Sequence, residues 1–457
     1  MQSPAFMFDV IHNARPSRLY GKPWRSLWLR PWFDYICLKS VSHWLFPMMR
    51  GLAAAQESDS DEVAFQAGTG LAAPLPSRLR DFLADQTLRR RAYLSAASVW
   101  EKAAFGGSSV QDLCAAEAGR YQAALSLSRG LGPLVPYLRR LPKLRYDILS
   151  PDALAETFPP ANPEDDSASY KLPALPEVLQ STAIPGPSAR ESWLRFVSPE
   201  LGDFVTARIY EAEDPQHDSP NFIFLHGVGM EPEFWPRQPD AINNLTARGF
   251  RVIRPEGPWH GRRRLTGWFG GEPVLARGPL GMLEAFQAWI GEVSVLIRWA
   301  RRRFAGPVIL GGVSMGALTS QRLAVAAANW PTEARPDHLF LVATSESFTD
   351  IAFSGALTRE LGITRRMQDV AWQESALNPW LLLMEPHGQP IVPPERILMV
   401  LGDRDVVTPY AGGLSLANRW RLPPENLFTY NRGHFTLCLG LLANQEPLHR
   451  LAAVLGR

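Results

Sequence analysis

The feature that most constrains the fold of this chain is the stretch Pro307-Val308-Ile309-Leu310-Gly311-Gly312-Val313-Ser314-Met315-Gly316. Its first half is a short apolar run typical of a strand, and the residues that follow Gly316 have a helical pattern. A strand that turns sharply at a serine into a helix holds that serine clear of a sheet, where it can act as a nucleophile. The Gly-x-Ser-x-Gly pattern alone is weak in a chain with 35 glycines, so its meaning depends on the other residues.

Apolar runs rich in β-branched and aromatic residues alternate with helical patterns after residue 190. Besides the strand before Ser314, strands are predicted at 193–197, 204–210, 221–225, 250–254, 338–344, 397–401 and 427–430, and helices at 233–248 and 280–304. The run at 221–225 is apolar almost throughout, as expected of a strand that is buried on both faces. This alternation predicts the α/β class, with a mostly parallel sheet flanked by helices.

The composition divides the chain into three regions. Residues 1–150 carry apolar side chains at helical spacing and are predicted to form a helical N-terminal region. Residues 151–190 are rich in proline and form either a linker or an extended segment that follows the surface. Residues 191–457 form the α/β domain, in which residues 346–394 are too long for a normal connection and are predicted to form a cap over the serine.

The predicted cap carries several large apolar residues: Trp372, Trp380, Leu381, Leu382, Leu383 and Met384. Two interpretations of these side chains stay open. In the first they line the inner face of the cap and suit an acyl chain. In the second they only pack the cap onto the core.

Charge and cysteine content exclude several classes of protein. The formal net charge of +2 argues against general nucleic-acid binding. The three cysteines, Cys37, Cys114 and Cys438, are far apart and indicate neither a disulfide framework nor a metal site. No apolar run approaches the roughly 18–20 residues that span a bilayer, and the N-terminal residues lack the order of a signal peptide. We therefore expect no nucleic-acid partner, no metal and a cytoplasmic location.

Residues 1–50 combine aromatic and cationic side chains. Trp24, Trp28 and Trp32 recur every four residues, Trp44 follows, and basic residues outnumber acidic ones. One interpretation places this segment in the headgroup zone of a membrane, as a peripheral contact. The other is a set of helices that pack their tryptophans against the main domain. Several prolines interrupt any long helix here, which favours the second interpretation.

A nucleophilic serine needs a base that takes its proton and a carboxylate that orients the base. Four histidines follow Ser314 in the chain: His338, His387, His434 and His449. Position favours His434, which lies in a loop directly after the last predicted strand and shortly before a helix. For the acid we expect Asp405, in a polar turn after an apolar strand, with Asp403 as a structural partner. Glu346, just after the strand at 338–344, is the alternative acid.

The negative charge that develops on an attacked carbonyl requires preorganised N–H donors. One expected donor is the backbone N–H of Met315, directly after the serine. The other is expected from His226-Gly227-Val228-Gly229, a loop whose small residues permit close approach, with the N–H of Val228 as the candidate. His226 itself is interpreted as a structural hydrogen-bonding residue rather than a base or a metal ligand.

With serine, acid and histidine in this order, residues 195–457 resemble the α/β-hydrolase superfamily. Pro255-Glu256-Gly257-Pro258-Trp259-His260-Gly261 stands where that family often has an Asp-x-Pro-Gly-His-Gly turn, with a tryptophan where glycine is usual. A narrower resemblance, to the α/β-hydrolase domain-containing protein 18 group, lies in Gly312–Gly316, 328–331, 345–348 and 353–357. The resemblance implies an α/β-hydrolase fold, whereas the first 190 residues carry none.

Together these residues predict a serine hydrolase that cleaves a small-molecule carboxylic ester or thioester, with lipids among the candidate substrates, and that needs no cofactor. Ser314, Asp405 and His434 form the expected triad, and Met315 and Val228 the expected oxyanion hole. Lysine-based chemistry is excluded from this domain because all five lysines, Lys22, Lys39, Lys102, Lys143 and Lys171, precede it. Two alternatives stay open: an acyltransferase with the same triad, and a non-catalytic scaffold, against which the intact triad argues.

Overall fold

The computed structural model describes residues 29–160, 170–187, 189–231 and 241–456. Trp24, Trp28 and the first half of the helix expected at 233–248 lie outside these described residues. The end of that segment, Asn243–Arg248, is a 3₁₀-helix and not the expected α-helix. It is short because Gly249, with a φ of 79°, ends it in a left-handed conformation.

One mixed sheet organises the described residues. Its strands are β1 Leu179–Gln180, β2 Ile184–Pro185, β3 Arg190–Val197, β4 Phe204–Glu211, β5 Asn221–Leu225, β6 Arg251–Pro255, β7 Val308–Val313, β8 His338–Val342, β9 Ile397–Gly402 and β10 Leu427–Tyr430. Their order is β1-β3-β4-β6-β5-β7-β8-β9-β10, and β2 also pairs with β3. Strands β5 to β10 pair in parallel, whereas β1 to β4 pair antiparallel and β4 pairs antiparallel with β6. The predicted mostly parallel sheet is confirmed.

Both faces of the sheet are buried, because successive side chains of a strand point to opposite sides. In β5, Phe222 and Phe224 belong to the apolar cluster on one face, whereas Ile223 and Leu225 belong to the cluster on the other. All five residues of β5 are buried. Because strands β5 to β10 run parallel, their carboxyl ends lie at one common edge of the sheet, and the loops that leave this edge lie side by side.

Helices cover both faces. They are α1 Pro31–Ser40, α2 Phe46–Ser58, α3 Glu62–Thr69, α4 Ser77–Phe105, α5 Val110–Leu127, α6 Pro151–Thr157, α7 Glu272–Ala276, α8 Pro279–Arg303, α9 Met315–Ala326, α10 Ala356–Glu360, α11 Ile363–Asp369, α12 Asn378–Met384, α13 Tyr410–Arg419, α14 His434–Ala443 and α15 Glu446–Val454. A π-helical turn, Val41–Leu45, joins α1 to α2. Helix α8 is long and apolar enough to cross a membrane, but 89% of its most apolar window is buried inside the protein, as in a core helix.

The N-terminal helices dock onto the sheet-bearing part of the chain. The ring of Phe46 meets that of Phe269 edge to face at 5.3 Å between centroids. Nearby, Arg50 Nη1 lies 2.8 Å from Glu272 Oε2, and both side chains are fully buried. Trp32 and Trp44 are 50% and 44% exposed, so these two tryptophans are not fully buried against the main domain.

The tryptophans of the predicted cap are buried anchors. Residues 346–394 lie between β8 and β9 and contain α10, α11 and α12. Trp372 and Trp380 are almost completely buried. Their indole N–H groups donate to the backbone oxygens of Leu149 at 2.7 Å and Phe158 at 2.8 Å. These two side chains therefore hold an earlier part of the chain in place and do not line an open acyl site.

We call residues 149–160 and 170–187 the connecting segment. It begins with α6 and ends with β1 and β2, so its described residues are partly regular structure. The Trp330 indole N–H donates to the backbone oxygen of Tyr170 at 3.0 Å, and the Tyr170 hydroxyl donates to the backbone oxygen of Leu383 at 2.6 Å. The described residues of this proline-rich stretch thus follow the surface of the main domain.

Candidate active site

Ser314 lies at the turn from β7 to α9, at the carboxyl edge of the sheet. Its backbone has a φ of 54° and a ψ of −120°, which is strained for a residue with a side chain. Its N–H donates to the backbone oxygen of Val342 at 3.0 Å and ties the turn to β8. Gly316 permits this tight turn, because a Cβ there would overlap the backbone of Leu225. The serine hydroxyl is thus held at the positive N-terminus of α9.

The structure brings the three residues of the predicted triad together. His434 Nε2 lies 3.0 Å from Ser314 Oγ, and His434 Nδ1 lies 2.8 Å from Asp405 Oδ2. With Nδ1 protonated, the imidazole donates to the carboxylate, and its Nε2 accepts the hydrogen bond of the serine hydroxyl. His434 and Asp405 are both buried, so these bonds act in a medium of low dielectric constant.

The turn after β9 fixes the Asp405 carboxylate. The N–H groups of Val407 and Thr408 donate to Oδ1 at 2.8 and 3.0 Å. The Thr408 hydroxyl lies 2.9 Å from Asp405 Oδ2, 3.0 Å from the backbone oxygen of Ala343 and 3.2 Å from His434 Nδ1. Thr408 was not among the site residues predicted from the sequence. The signal for it was a hydroxyl residue three positions after an aspartate in a turn.

Several effects set the pKa of the His434 imidazole. Burial lowers that pKa, but the charge of Asp405, its hydrogen bond and the charge of Asp34 raise it, so the pKa of His434 lies above the ordinary 6.5. A raised pKa strengthens the imidazole as a proton acceptor. Asp34 lies on α1, far from the triad in sequence, and no motif in the sequence marks it.

The alternative acid, Glu346, is engaged elsewhere. Its Oε2 atom lies 2.9 Å from Nε and 2.7 Å from Nη2 of Arg419. Asp403 Oδ1 lies 3.8 Å from Nε of Arg404, the next residue in the chain. The geometry therefore favours Asp405 over Glu346 as the partner of His434.

The two expected oxyanion donors belong to two different segments near the serine, the start of α9 and the loop after β5. Met315 is the first residue of α9, and the first N–H groups of a helix have no acceptor within the helix. In the loop after β5, a Cβ placed on Gly227 would lie 3.5 Å from the Cβ of Ser314. The loop that continues into Val228 therefore passes directly beside the nucleophile.

Two buried histidines hold this loop. Gly257 N–H donates to His226 Nε2 at 2.9 Å, and Gly229 N–H donates to His260 Nε2 at 3.1 Å. Each Nδ1 lies 2.8 Å from a backbone oxygen, so both rings are neutral and protonated at Nδ1. Burial lowers the pKa of His226, and burial lowers the pKa of His260 to about 4. His226 is thus the structural residue that the sequence indicated, and His260 is its missed counterpart.

Among the described residues, no group of three or more His, Cys, Asp and Glu side chains is placed to hold a metal ion. A cavity of about 570 Å³ lies between the N-terminal helices and the loop 261–268, and its lining does not include the triad. Two arginines of that loop, Arg262 and Arg263, form ion pairs with Glu256 and Glu292. This cavity is therefore separate from the serine, and each of these two arginines has a carboxylate partner.

A sequence model of the alpha/beta hydrolase family matches residues 222–454, a range that contains Ser314, Asp405 and His434. No curated protein matches the chain by sequence.

Three solved structures illustrate what the fold is similar to. Acetyl xylan esterase 1 from Thermoanaerobacterium sp. JW/SL YS485 is 17% identical over 60% of this chain and 88% of its own, with a TM-score of 0.43. Acetyl xylan esterase from Paenibacillus sp. R4 is 14% identical over 64% of this chain and 91% of its own, with a TM-score of 0.41. A cold-adapted esterase from an Arctic intertidal metagenomic library is 14% identical over 60% of this chain and 97% of its own, with a TM-score of 0.38.

Proposed function

The chain belongs to the alpha/beta hydrolase family, and on that premise we propose that it is a serine hydrolase that cleaves a carboxylic ester or thioester. The observation that carries the proposal is the continuous path from Asp405 through His434 to Ser314, with contacts of 2.8 and 3.0 Å. This path supplies a nucleophile, a base and an orienting carboxylate, the three groups that acyl transfer to serine requires.

In the first half of the proposed reaction, Ser314 Oγ attacks the carbonyl carbon while its proton moves to His434 Nε2. The carbonyl oxygen becomes an oxyanion, which the backbone N–H groups of Met315 and Val228 stabilise. When the tetrahedral intermediate collapses, the bond to the leaving group breaks and His434 returns the proton to the departing alcohol or thiol. Ser314 then carries the acyl group, and His434 is neutral again.

In the second half, water attacks the acyl carbon while His434 takes one of its protons. The second tetrahedral intermediate collapses to release the carboxylic acid, and the proton returns to Ser314 Oγ. An acyltransferase would differ only in the acceptor, because an alcohol or amine would replace this water. Adding graded acceptor alcohols to the purified chain and an ester panel separates the two: a transesterified product indicates transfer, and free acid alone indicates hydrolysis.

A fluorophosphonate probe tests the proposal, because it reacts with a serine that is activated in this way. We expect the full chain to be labelled and Ser314→Ala to be unlabelled. The matched control is Ser320→Ala, since Ser320 is a buried serine of the same helix whose hydroxyl donates to a backbone oxygen at 2.8 Å. Labelling that survives Ser314→Ala would overturn the proposal, and an unlabelled wild type would favour the scaffold alternative.

We also propose that the outer face of α1 contacts a membrane surface, which would bring the serine close to lipid esters. Trp32, Tyr35 and Ile36 are 50%, 61% and 45% exposed, and Trp44 in the π-helical turn is 44% exposed. Lys39, which forms an ion pair with Glu360, extends from the same helix with 38% of its side chain exposed. Aromatic residues beside a cation are typical of segments that lie in the headgroup zone.

Co-sedimentation with liposomes tests this contact without truncating the buried part of the helix. We expect the wild type to sediment with liposomes and the variant Trp32→Ala/Tyr35→Ala/Trp44→Ala to stay in solution. Val63→Ala/Leu88→Ala removes exposed apolar side chains elsewhere and serves as the control. If the triple variant binds liposomes as well as the control does, α1 is not the contact.

A further inference from the structure

The helix that begins with His434 has a second buried carboxylate at its N-terminus, and that carboxylate comes from the N-terminal region. Asp34 Oδ1 accepts hydrogen bonds from Thr436 N–H at 2.8 Å and from the Thr436 hydroxyl at 3.2 Å. The same hydroxyl accepts the N–H of Gly433 at 3.0 Å. A carboxylate on the first N–H groups of a helix satisfies donors that lack intrahelical partners and faces the positive end of the helix dipole.

The fit between this carboxylate and the turn before His434 is close. Asp34 is 5% exposed and Thr436 is fully buried. A Cβ at Gly433 would overlap the Asp34 carboxylate, so this position tolerates only glycine while Asp34 stays in place. Gly433, which directly precedes His434, therefore leaves the space that the Asp34 side chain of α1 occupies.

Helix α1 is also fixed at its other end. Lys39 Nζ lies 2.6 Å from Glu360 Oε1, and His43 Nε2 lies 3.1 Å from Glu360 Oε2. Leu38 packs in an apolar cluster with Val407, a residue of the turn that carries Asp405. Because α1 is held by α10, by α14 and by the acid turn together, Asp34 has a defined position relative to the triad.

The charged groups that act on Asp34 include the Asp405 carboxylate and the His434 imidazole. The pKa of Asp34 lies above its ordinary value, because burial and the like charge of Asp405 raise it by more than the bond from Thr436 N–H and the charge of His434 lower it. The neighbouring thiols are neutral, because burial raises the pKa of Cys37 and of Cys438 to about 12. When His434 takes a proton and becomes an imidazolium, its charge and the positive helix end both attract the Asp34 carboxylate.

We propose that Asp34 is a positioning residue for His434, which fixes the turn that carries the imidazole and whose negative charge favours the imidazolium formed when Ser314 is deprotonated. The inference rests on the proposed function, since it concerns the same site. It assigns a part in the chemistry to the N-terminal region, which lies outside residues 222–454 that the family model matches. Asp405 orients the imidazole directly, whereas Asp34 acts through the helix end and through its charge.

The test compares Asp34→Asn with the wild type in the full chain. Asparagine keeps an oxygen that can accept from Thr436 but removes the charge. The readout is the second-order rate constant of fluorophosphonate labelling as a function of pH, which reports the protonation of His434 without a known substrate. Asp61→Asn is the matched control, because Asp61 is an exposed aspartate that accepts the first N–H groups of helix α3.

We expect the acid limb of the labelling profile to move to lower pH in Asp34→Asn, by roughly half a pH unit or more, and to stay in place in Asp61→Asn. The sign follows because removing a negative charge destabilises the imidazolium and lowers the pKa of His434. A profile that keeps its limb overturns the inference, whether or not its plateau falls. A lower plateau with an unmoved limb would show a contact that is merely structural.

A second measurement separates failure of this inference from failure of the proposed function. In protein with ¹³C-labelled histidine, NMR titration gives the pKa of the His434 ring directly, with His434→Gln to assign the signal. If the wild type is not labelled by the probe, the proposed function has failed, and an unchanged His434 pKa in Asp34→Asn still overturns the role of Asp34. Asp34→Ser is the second neutral variant for both measurements if Asp34→Asn does not fold.

Discussion

At the scale of single residues, the site depends on one carboxylate whose acceptor positions are nearly all occupied. Asp405 accepts two backbone N–H groups at Oδ1, and Oδ2 contacts both the Thr408 hydroxyl and His434 Nδ1. These contacts fix the orientation of the carboxylate, which in turn fixes the tautomer of the imidazole. The amide of an asparagine at position 405 would present N–H groups to His434 Nδ1, which must itself donate a hydrogen bond.

Replacing Asp405 by asparagine therefore should reverse the tautomer of His434 and remove its acceptor at Nε2. We expect the rate of fluorophosphonate labelling to fall by about 10³–10⁴. Glu346→Gln is the comparison, because it removes the alternative acid, whose carboxylate pairs with Arg419. Equal losses in the two variants would contradict the assignment of Asp405.

The acid limb of the labelling profile belongs to the same scale. Only the neutral imidazole can accept the serine proton, so the labelling rate falls as the pH drops through the pKa of His434. Because the pKa of His434 is raised above 6.5, we expect half-maximal labelling above pH 6.5. Measuring the labelling rate at a series of pH values gives this midpoint. A midpoint below pH 6.5 would contradict the raised pKa of His434.

At the scale of elements, the loop beside the serine is held by ring nitrogens that must remain unprotonated. His226 and His260 each use Nε2 as an acceptor for a backbone N–H group. Their rings are 4.6 Å apart between centroids. If either ring is protonated, its Nε2 carries a hydrogen that faces the backbone N–H group, and the hydrogen bond is lost. The stability of the loop therefore depends on pH through both histidines.

This arrangement predicts that acid destabilises the fold before most carboxylates titrate. A depressed folded pKa means that the unfolded chain binds more protons, so stability is full above pH 6.5 and falls between 6.5 and the folded pKa of His260, about 4. For His260 the full loss is about 3 kcal/mol. Urea denaturation at a series of pH values measures how the free energy of unfolding changes with pH. This change should be smaller in His260→Gln, because glutamine does not titrate. An equal pH dependence in the wild type and in His260→Gln would rule out His260 as the source.

At the scale of the whole molecule, the N-terminal helices and the hydrolase part share buried contacts instead of meeting across a solvated interface. The Arg50–Glu272 ion pair is buried on both sides, and Glu272 also accepts the N–H groups of Arg145 at 2.7 Å and Phe269 at 3.1 Å. Removing one partner of a buried pair leaves an uncompensated charge, which is more harmful than losing the pair altogether. The two regions should therefore unfold together.

We accordingly expect Arg50→Met to lower the free energy of unfolding by about 3–5 kcal/mol, and Arg50→Met/Glu272→Gln to recover part of that loss. The exposed pair of Arg91 and Asp59, 3.0 Å apart, provides the control, because Arg91→Met should change stability by less than about 1 kcal/mol. Urea denaturation followed by tryptophan fluorescence measures all three variants. Separate transitions for the two regions, or equal effects of Arg50→Met and Arg91→Met, would contradict a shared buried contact.

Much of the fold follows from local sequence patterns, and the predicted α/β-hydrolase fold is confirmed by the family match. The predicted strands at 221–225 and 427–430 have the observed bounds, because apolar runs between turn residues mark a strand locally. The order serine, acid, histidine along the chain, together with the position of the acid and the histidine just after predicted strands, selected residues that the structure places in contact. Their catalytic roles and the narrower resemblance to the domain-containing protein 18 group stay predictions.

What the sequence could not reveal depends on contacts between distant elements. Asp34 and Thr436 are 402 positions apart, and Asp34 by itself looks like an ordinary acidic residue in the first turn of a helix. The roles of His260 and Thr408 likewise appear only when the loops at the carboxyl edge of the sheet are folded side by side. For the tryptophans of the cap, sequence left two interpretations open, because apolar character alone does not say what a side chain packs against.

The tryptophan anchors of the connecting segment also provide a natural set of isotope-exchange probes. Trp372, Trp380 and Trp330 donate their indole N–H groups to backbone oxygens at positions 149, 158 and 170. A buried, hydrogen-bonded N–H exchanges with deuterium only when its partner moves away. Simultaneous exchange of the three indoles would mark the segment as one cooperative unit, and successive exchange would give the order in which its parts leave the domain.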